Sequence, residues 1–237
     1  MEPWYVICKA VAIPPVKFWF NWRFEGLDLI PASGPAIVAA NHISYLDPFA
    51  NGYAVMKAGR RPRFLAKDDL FKIPVVGTAI HGAGQIPVDR GSGGSAPLVS
   101  AAKALEDGEV VVIYPEGTVT KHPDSLPMGG KTGTVRLSLM SGVPVTPMAS
   151  WGGQAVWQKS GKGSLKFGRP IWVTVGEPID FSERAAAPAS SRRTTCSRSR
   201  WSAPRSVEPD RSPWTAAPAA RRRSSPPRTP SKRARSS

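Results

Sequence analysis

The stretch AIVAANHISYLDPFANGYAVMKAG, residues 36–59, reads as a strand, a turn and a helix in immediate succession. Residues 36–40 form an unbroken apolar run of strand length that stops at Asn41, the pattern of a strand buried on both faces. Asp47 stands where an N-cap is wanted, Pro48 suits the first helical position, and Gly59 lies just past the helix end. The turn carries His42, one of three histidines in the chain. On a continuous helix, positions 42 and 47 would sit about 140° apart and could not meet. With His42 on the turn and Asp47 on the first turn of the helix, they can. A carboxylate on one imidazole nitrogen fixes the tautomer and leaves the other nitrogen basic. The same spacing also fits a plain aspartate cap beside a surface histidine.

Outward from this stretch, short apolar strands alternate with helix-like segments. RFLAK (63–67) and QIPV (85–88) read as strands separated by the helical VVGTAIHGAG. SAPLVSAAKALEDG (95–108) has apolar residues at helical spacing and closes on Gly108. EVVVIY (109–114) runs β-branched residues without a break into Pro115. TGTVRLSLMSG then VPVTPMA repeats helix and strand, and IWVTVGEPI adds another strand. This order predicts an α/β fold, a single domain over residues 25–184 with a largely parallel or mixed central sheet flanked by helices.

Charge is unevenly spread. The 237-residue chain has a net charge of +15, but residues 185–237 hold 13 of its 32 basic and 2 of its 17 acidic residues, which leaves residues 1–184 a net of +4. The basicity therefore belongs to the tail. That tail has almost no aliphatic side chains beyond alanine and no periodicity. It cannot bury enough apolar surface to offset its ordering entropy, so residues 185–237 are expected to be disordered. The Arg, Ser, Pro, Ala and Thr mixture that follows GEPIDFSER is also that of a GC-rich gene read out of frame. Resequencing the coding DNA tests this, and an intact frame would remove it. Cys8 and Cys196 lie far apart and give neither a disulfide framework nor a metal spacing, which fits a reducing, intracellular setting.

Residues 1–24, MEPWYVICKAVAIPPVKFWFNWRF, show no small-residue cleavage pattern after their apolar stretch. Lys9, Pro14, Pro15 and Lys17 interrupt the run, which argues against a spanning helix of about 20 apolar residues. Trp and Phe mixed with lysine suit the water–lipid boundary, so the segment is expected to be helical and interfacial. A helical pair packed on the domain's own core is the alternative.

Three further stretches bear on chemistry. In GAGQIPVDRGSGG (82–94), Arg90 enters a glycine-rich loop with free backbone amides, which is either a phosphate cradle or a flexible loop with a solvated arginine. In VVIYPEGTVTK (111–121), Pro115 ends a central strand, so Glu116, Gly117 and Thr118 lie at its carboxyl edge, where open α/β sheets bind ligands. GVPVTPMA (142–149), with Pro144 and Pro147, signals only a strand when taken alone.

Taken in order, NHISYLDP, GQIPVDR, YPEGT and VPVTP resemble the four blocks of the glycerolipid acyltransferases, with the 1-acylglycerol-3-phosphate acyltransferases as the nearest likeness. The resemblance covers about residues 20–180, and the NHxxxxD and PEGT pair is its specific part. It implies direct acyl transfer without an acyl-enzyme: His42 removes the acceptor hydroxyl's proton, and Asp47 orients His42. It implies acyl-CoA or an acyl carrier protein as donor, a lysophospholipid as acceptor and no cofactor. Asn41 belongs to its first block. Arg90, Glu116, Gly117 and Thr118 fall in the blocks that contact the glycerol phosphate, Lys67 in FLAKDDLF matches a basic position near that phosphate, and Pro147 matches the donor-side block. Val119 departs from the pattern, because an arginine usually follows the threonine there. Lys121, Lys131 and Arg136 are candidates to replace it, with Lys131, ahead of a helix, preferred. Trp151 and Trp157 are candidates for an acyl groove or for core. No metal site is expected, since His42, His81 and His122 lack companions at ligand spacing. The resemblance also implies a peripheral, monotopic place on the cytoplasmic face of a membrane, with no nucleic-acid partner. The competing readings are an acyltransferase for another lysophospholipid or a glycolipid, a thioesterase, and a tail-driven binder of anionic membranes or nucleic acid.

Overall fold

The computed structural model describes residues 3–88, 96–161 and 163–182. Arg90 and the basic tail lie outside the described residues. The elements run α1 (Pro3–Trp19), β1 (Asn21–Glu25), β2 (Ala36–Ala40), α2 (Asp47–Lys57), β3 (Pro62–Lys67), α3 (Val76–Gly82), β4 (Ile86–Val88), α4 (Ala96–Glu106), β5 (Val110–Ile113), α5 (Gly133–Ser141), β6 (Val145–Trp151) and β7 (Pro170–Val175).

The strands form one mixed sheet in the order β1-β7-β6-β2-β5-β3-β4. Strands β6, β2, β5, β3 and β4 are mutually parallel. Strand β7 lies antiparallel to β6, and β1 runs parallel to β7. Side chains alternate across the sheet. From β2 and β5, Val38, Val110 and Val112 face one apolar layer with Ala50, Ala54 and Val55 of α2. Ile37, Val111 and Ile113 face the other, with Leu98, Ala101 and Leu105 of α4 and Leu137 of α5. Both faces are covered, which is why these strands are apolar throughout. Full burial of each valine or isoleucine contributes about 1.5–3 kcal/mol.

The N-terminal segment differs from expectation at its end. Helix α1 runs through Pro14 and Pro15 to Trp19. Residue 24, where the segment was expected to end, lies inside β1, whose five residues pair with Pro170–Thr174. A strand needs only a partner edge, and β7 supplies one. Trp22, read as interfacial, stacks on Phe24 at 5.7 Å, and both rings meet Tyr53 of α2 edge-on. Among the described residues, no helix is long and apolar enough to cross a membrane.

From β2 the chain crosses past β5 to β3, and from β5 it returns past β2 to β6. Helix α2 carries the first connection over one face of the sheet and α5 carries the second over the other, so the chain parts at the carboxyl ends of β2 and β5, a topological switch point that opens a crevice. His42 follows β2 there, and Tyr114 to Thr118 follow β5.

Candidate active site

His42 Nδ1 lies 3.0 Å from Asp47 Oδ2. The same oxygen accepts the backbone N–H groups of Ile43 at 2.6 Å and Ser44 at 2.8 Å. The aspartate is therefore not the N-cap that the sequence suggested. Leu46 holds that position, Asp47 is the first helical residue and Pro48 the second. The carboxylate turns back onto the loop instead of forward onto the helix amides. Asp47 is buried, at 1 % exposure, whereas the His42 side chain keeps 15 %. Burial pushes the Asp47 carboxyl above its ordinary range, and the hydrogen bonds from His42, Ser44 and Ile43 pull it back in part. With Nδ1–H given to the carboxylate, Nε2 is the nitrogen left to act as a base.

The imidazole is held from other directions too. Its ring stacks on Tyr114 at 4.2 Å and 20°. Burial, with the Asp47 charge nearby, holds the Tyr114 phenol well above its usual value, so it stays neutral; Asn51 Nδ2 donates to its oxygen at 3.2 Å. The His42 backbone N–H donates to Glu116 Oε1 at 2.8 Å, and its carbonyl accepts Thr120 N–H at 2.7 Å. Glu116 Oε2 accepts Met128 N–H at 2.9 Å. The loop after β5 thus clamps the turn after β2.

Strand β6 adds a third support. Asn41 and Ser150 exchange hydrogen bonds, Nδ2 to the Ser150 carbonyl at 3.0 Å and Ser150 N–H to Oδ1 at 2.8 Å. Ser150 Oγ also donates to Asp47 Oδ1 at 3.3 Å. Gly153 lets the chain pass close to this cluster, since a Cβ there would stand 3.1 Å from Ser44 Cβ.

Three cavities lie near His42, which is not itself in the lining of any of them; Tyr114, Ile43 and Leu46 are the nearby residues that line one each. One, about 330 Å³, is lined by Tyr114, Gly117, Lys131, Thr134 and Arg136 at the start of α5. A second, about 350 Å³, takes in Ile43, Thr120, Lys121 and Lys159. The third, about 550 Å³ and almost wholly apolar, is walled by Trp19, Phe20, Leu46, Phe49, Val156 and Trp157.

The other sequence candidates divide as follows. Gly117 and Lys131 come together: at a φ of 70° the glycine leaves room for the lysine, whose Nζ would lie 3.1 Å from a Cβ. The Thr134 hydroxyl beside them is buried and unpartnered, and Lys131 N–H donates to the Pro115 carbonyl at 2.8 Å. Lys67 ends β3, paired with Val88 in register, and its ammonium meets Asp69. Thr118 Oγ1 accepts Lys159 Nζ at 3.1 Å. Glu116 is buried with a backbone amide on each oxygen, which ties the His42 backbone to that of Met128. Pro147 is held within β6, opposite Ala39 of β2. Val119 is buried at 3 % exposure. Trp157 lines the apolar cavity, and Trp151 is not among its walls. Sequence reasoning missed Ser44, Tyr114, Ser150 and Lys159, although Ser44 lies inside NHISYLDP, Tyr114 opens YPEGT and Ser150 directly follows GVPVTPMA. Among the described residues, no group of three or more His, Cys, Asp or Glu side chains converges to hold a metal.

Comparison with known proteins gives this constellation relatives. The chain is 29 % identical over 182 residues to the chloroplastic 1-acyl-sn-glycerol-3-phosphate acyltransferase LPAT1 of Arabidopsis thaliana, over 76 % of this chain and 49 % of that one. It is 28 % identical over 163 residues to the 1-acyl-sn-glycerol-3-phosphate acyltransferase of Bacillus subtilis, over 69 % of this chain and 76 % of that one. The chain thus spans about half the length of the plant relative. The crystal structure of the 1-acyl-sn-glycerophosphate acyltransferase PlsC of Thermotoga maritima superposes with a TM-score of 0.59 at 25 % identity, covering 74 % of this chain and 68 % of that one. The family model described as Acyltransferase matches residues 21–151, more than half of the chain and a span that holds His42, Asp47 and Glu116, and to that family the chain belongs.

Proposed function

We propose that the chain transfers an acyl group from acyl-CoA or an acyl carrier protein to the free hydroxyl of 1-acylglycerol-3-phosphate, giving phosphatidate. The observation that carries this is the buried Asp47 carboxylate on His42 Nδ1 at 3.0 Å, with Nε2 free at the mouth of the sheet. Nε2 takes the hydroxyl proton as the oxygen attacks the thioester carbonyl. The tetrahedral adduct collapses, the carbon–sulfur bond breaks, and the imidazolium returns the proton to the leaving thiolate. Asp47 keeps the imidazole in one tautomer and faces the charge that develops on it. No acyl-enzyme and no cofactor enter this scheme.

The acceptor's phosphate is assigned to the cavity of Lys131, Arg136 and Gly117; Lys67, and Arg90 from outside the described residues, are proposed as further contacts to it. Arg136 and Lys131 supply cations that Val119 does not, and the start of α5, whose end favours an anion, lines the same cavity. The apolar cavity suits a fatty acyl chain. The substrates are lipids, so the chain is assigned to a membrane surface, and the thioester donor's intracellular origin assigns it to the cytoplasmic face.

Labelled acyl-CoA offered with a panel of lysolipids tests this. The expected product is labelled phosphatidate, with thiol release that depends on the acceptor and vanishes in His42→Ala. Transfer to water regardless of acceptor would mean a thioesterase, and preference for another lysolipid or a glycolipid would reassign the acceptor. Near-normal turnover by folded His42→Ala would refute the assignment of the base.

A further inference from the structure

Two segments far apart in sequence meet at one edge of the apolar cavity. Trp19, at the end of α1, donates its indole N–H to the Leu165 carbonyl at 3.1 Å, and its carbonyl accepts Gly168 N–H at 2.8 Å. Its ring meets Phe167 edge-on at 5.8 Å. Beyond this junction the side chains turn outward: Phe167 is 74 % exposed, Phe18 70 % and Leu165 68 %. Trp19, Trp157 and Leu165 line the cavity between the two segments, and so does Leu46, the neighbour of Asp47.

Charge accompanies the exposed rings. Residues 157–169 hold Lys159, Lys162, Lys166 and Arg169 and no acidic residue. The Lys17 ammonium sits 5.5 Å from the Phe18 ring centre. Exposed aromatic and aliphatic tips set among lysines are what the headgroup layer of a bilayer accepts. A protein interface core is instead depleted of lysine, so the composition favours lipid as the partner.

We propose that residues 163–169 form a second membrane foot beside the end of α1, that Phe167 and Phe18 enter the headgroup layer of an anionic bilayer, and that Lys166 pairs with its phosphates. The apolar cavity then opens toward lipid between the two feet. Only the cavity's acyl occupant rests on the acyl-transfer reading; the foot itself stands on exposure and charge.

The full chain, sedimented with phosphatidylcholine vesicles that contain or lack phosphatidylglycerol, tests the proposal. High salt screens the attraction of the basic tail common to all variants. Under that condition Phe167→Ser should lower vesicle affinity about tenfold, the share of one inserted aromatic ring. It should keep its melting temperature and its turnover of short-chain substrates that are monomeric in water. At low salt, Lys166→Gln should weaken binding to the anionic vesicles about fivefold and leave the neutral ones unaffected. Unchanged vesicle affinity in Phe167→Ser would overturn the foot, and so would a loss of turnover on monomeric substrates equal to the loss of binding. A wild type that needs Phe167 for vesicles yet acylates no lysolipid would sink the acyl-transfer reading and leave the foot standing.

Discussion

Replacing Glu116 separates two roles that the sequence could not. As a substrate ligand its loss would raise the acceptor's KM; as a brace its loss would loosen the base. In the structure both carboxylate oxygens are occupied by backbone amides, those of His42 at 2.8 Å and Met128 at 2.9 Å, in a side chain 7 % exposed. A hydrogen bond to a charged group contributes about 1.5–3 kcal/mol, so the pair is worth about 3–6 kcal/mol. Against a whole-domain stability of about 5–15 kcal/mol, Glu116→Ala approaches unfolding. Glu116→Gln is the usable variant: it keeps one acceptor oxygen and turns an amide N–H toward the other donor. Its cost is about 1.5–3 kcal/mol, a fall of about 3–12 °C in Tm for a domain of this size. Each 1.4 kcal/mol of orientation lost in the transition state is about tenfold in rate, so kcat should fall about ten- to a hundredfold while the acceptor's KM holds. Thermal melts and steady-state acyl transfer on the same preparation measure both. An increased acceptor KM at an unchanged Tm would refute the brace.

Asp47→Asn should lower kcat by about three to four powers of ten, as loss of the orienting aspartate does in a serine protease triad. It should also alter the dependence of stability on pH. The native carboxyl holds its proton to a higher pH than the unfolded chain, whose value is about 3.9. Wild-type stability relative to Asp47→Asn should therefore fall as pH rises from about 3.9 through the raised native value, then level off; melts showing a rise over that window would contradict the burial argument. Lys131→Ala should raise the acceptor's KM about ten- to a hundredfold with little change in kcat, and an unchanged KM would remove it from the phosphate cavity. Tyr114→Leu should slow turnover about two- to thirtyfold by removing the ring face that meets the developing imidazolium, while Tyr114→Phe keeps the rate; equal losses in both would discard the stacking contribution.

The parts of the fold that sequence made legible are those where burial and periodicity agree. Residues 36–40 and 110–113 are apolar throughout because the sheet is covered on both faces. Strand β1 was not legible. NWRFE alternates polar and aromatic residues, which suits an edge strand as well as a lipid boundary, and only its pairing with β7, some 150 residues on, decides between them. Pro14 and Pro15 forfeit helical hydrogen bonds, yet α1 packs on α2 and α3 and runs on through them. At the site, spacing gave the His42–Asp47 encounter but not its form. A cap and a first-turn residue differ by one position, and the backward turn of the carboxylate depends on the loop amides of Ile43 and Ser44. The brace from Glu116 and the support from Ser150 join residues more than 70 positions apart in the chain, beyond the reach of any local pattern.

Leu46 belongs at once to the apolar cavity and to the peptide that leads into Asp47. A hydrocarbon chain that fits leaves this side chain at rest. One too bulky pushes on it and strains the adjoining carboxylate, on which the imidazole depends. Discrimination between fatty chains would then be felt as a slower chemical step and not merely as weaker association. The enzyme would gauge its lipid with the same joint that aims its base.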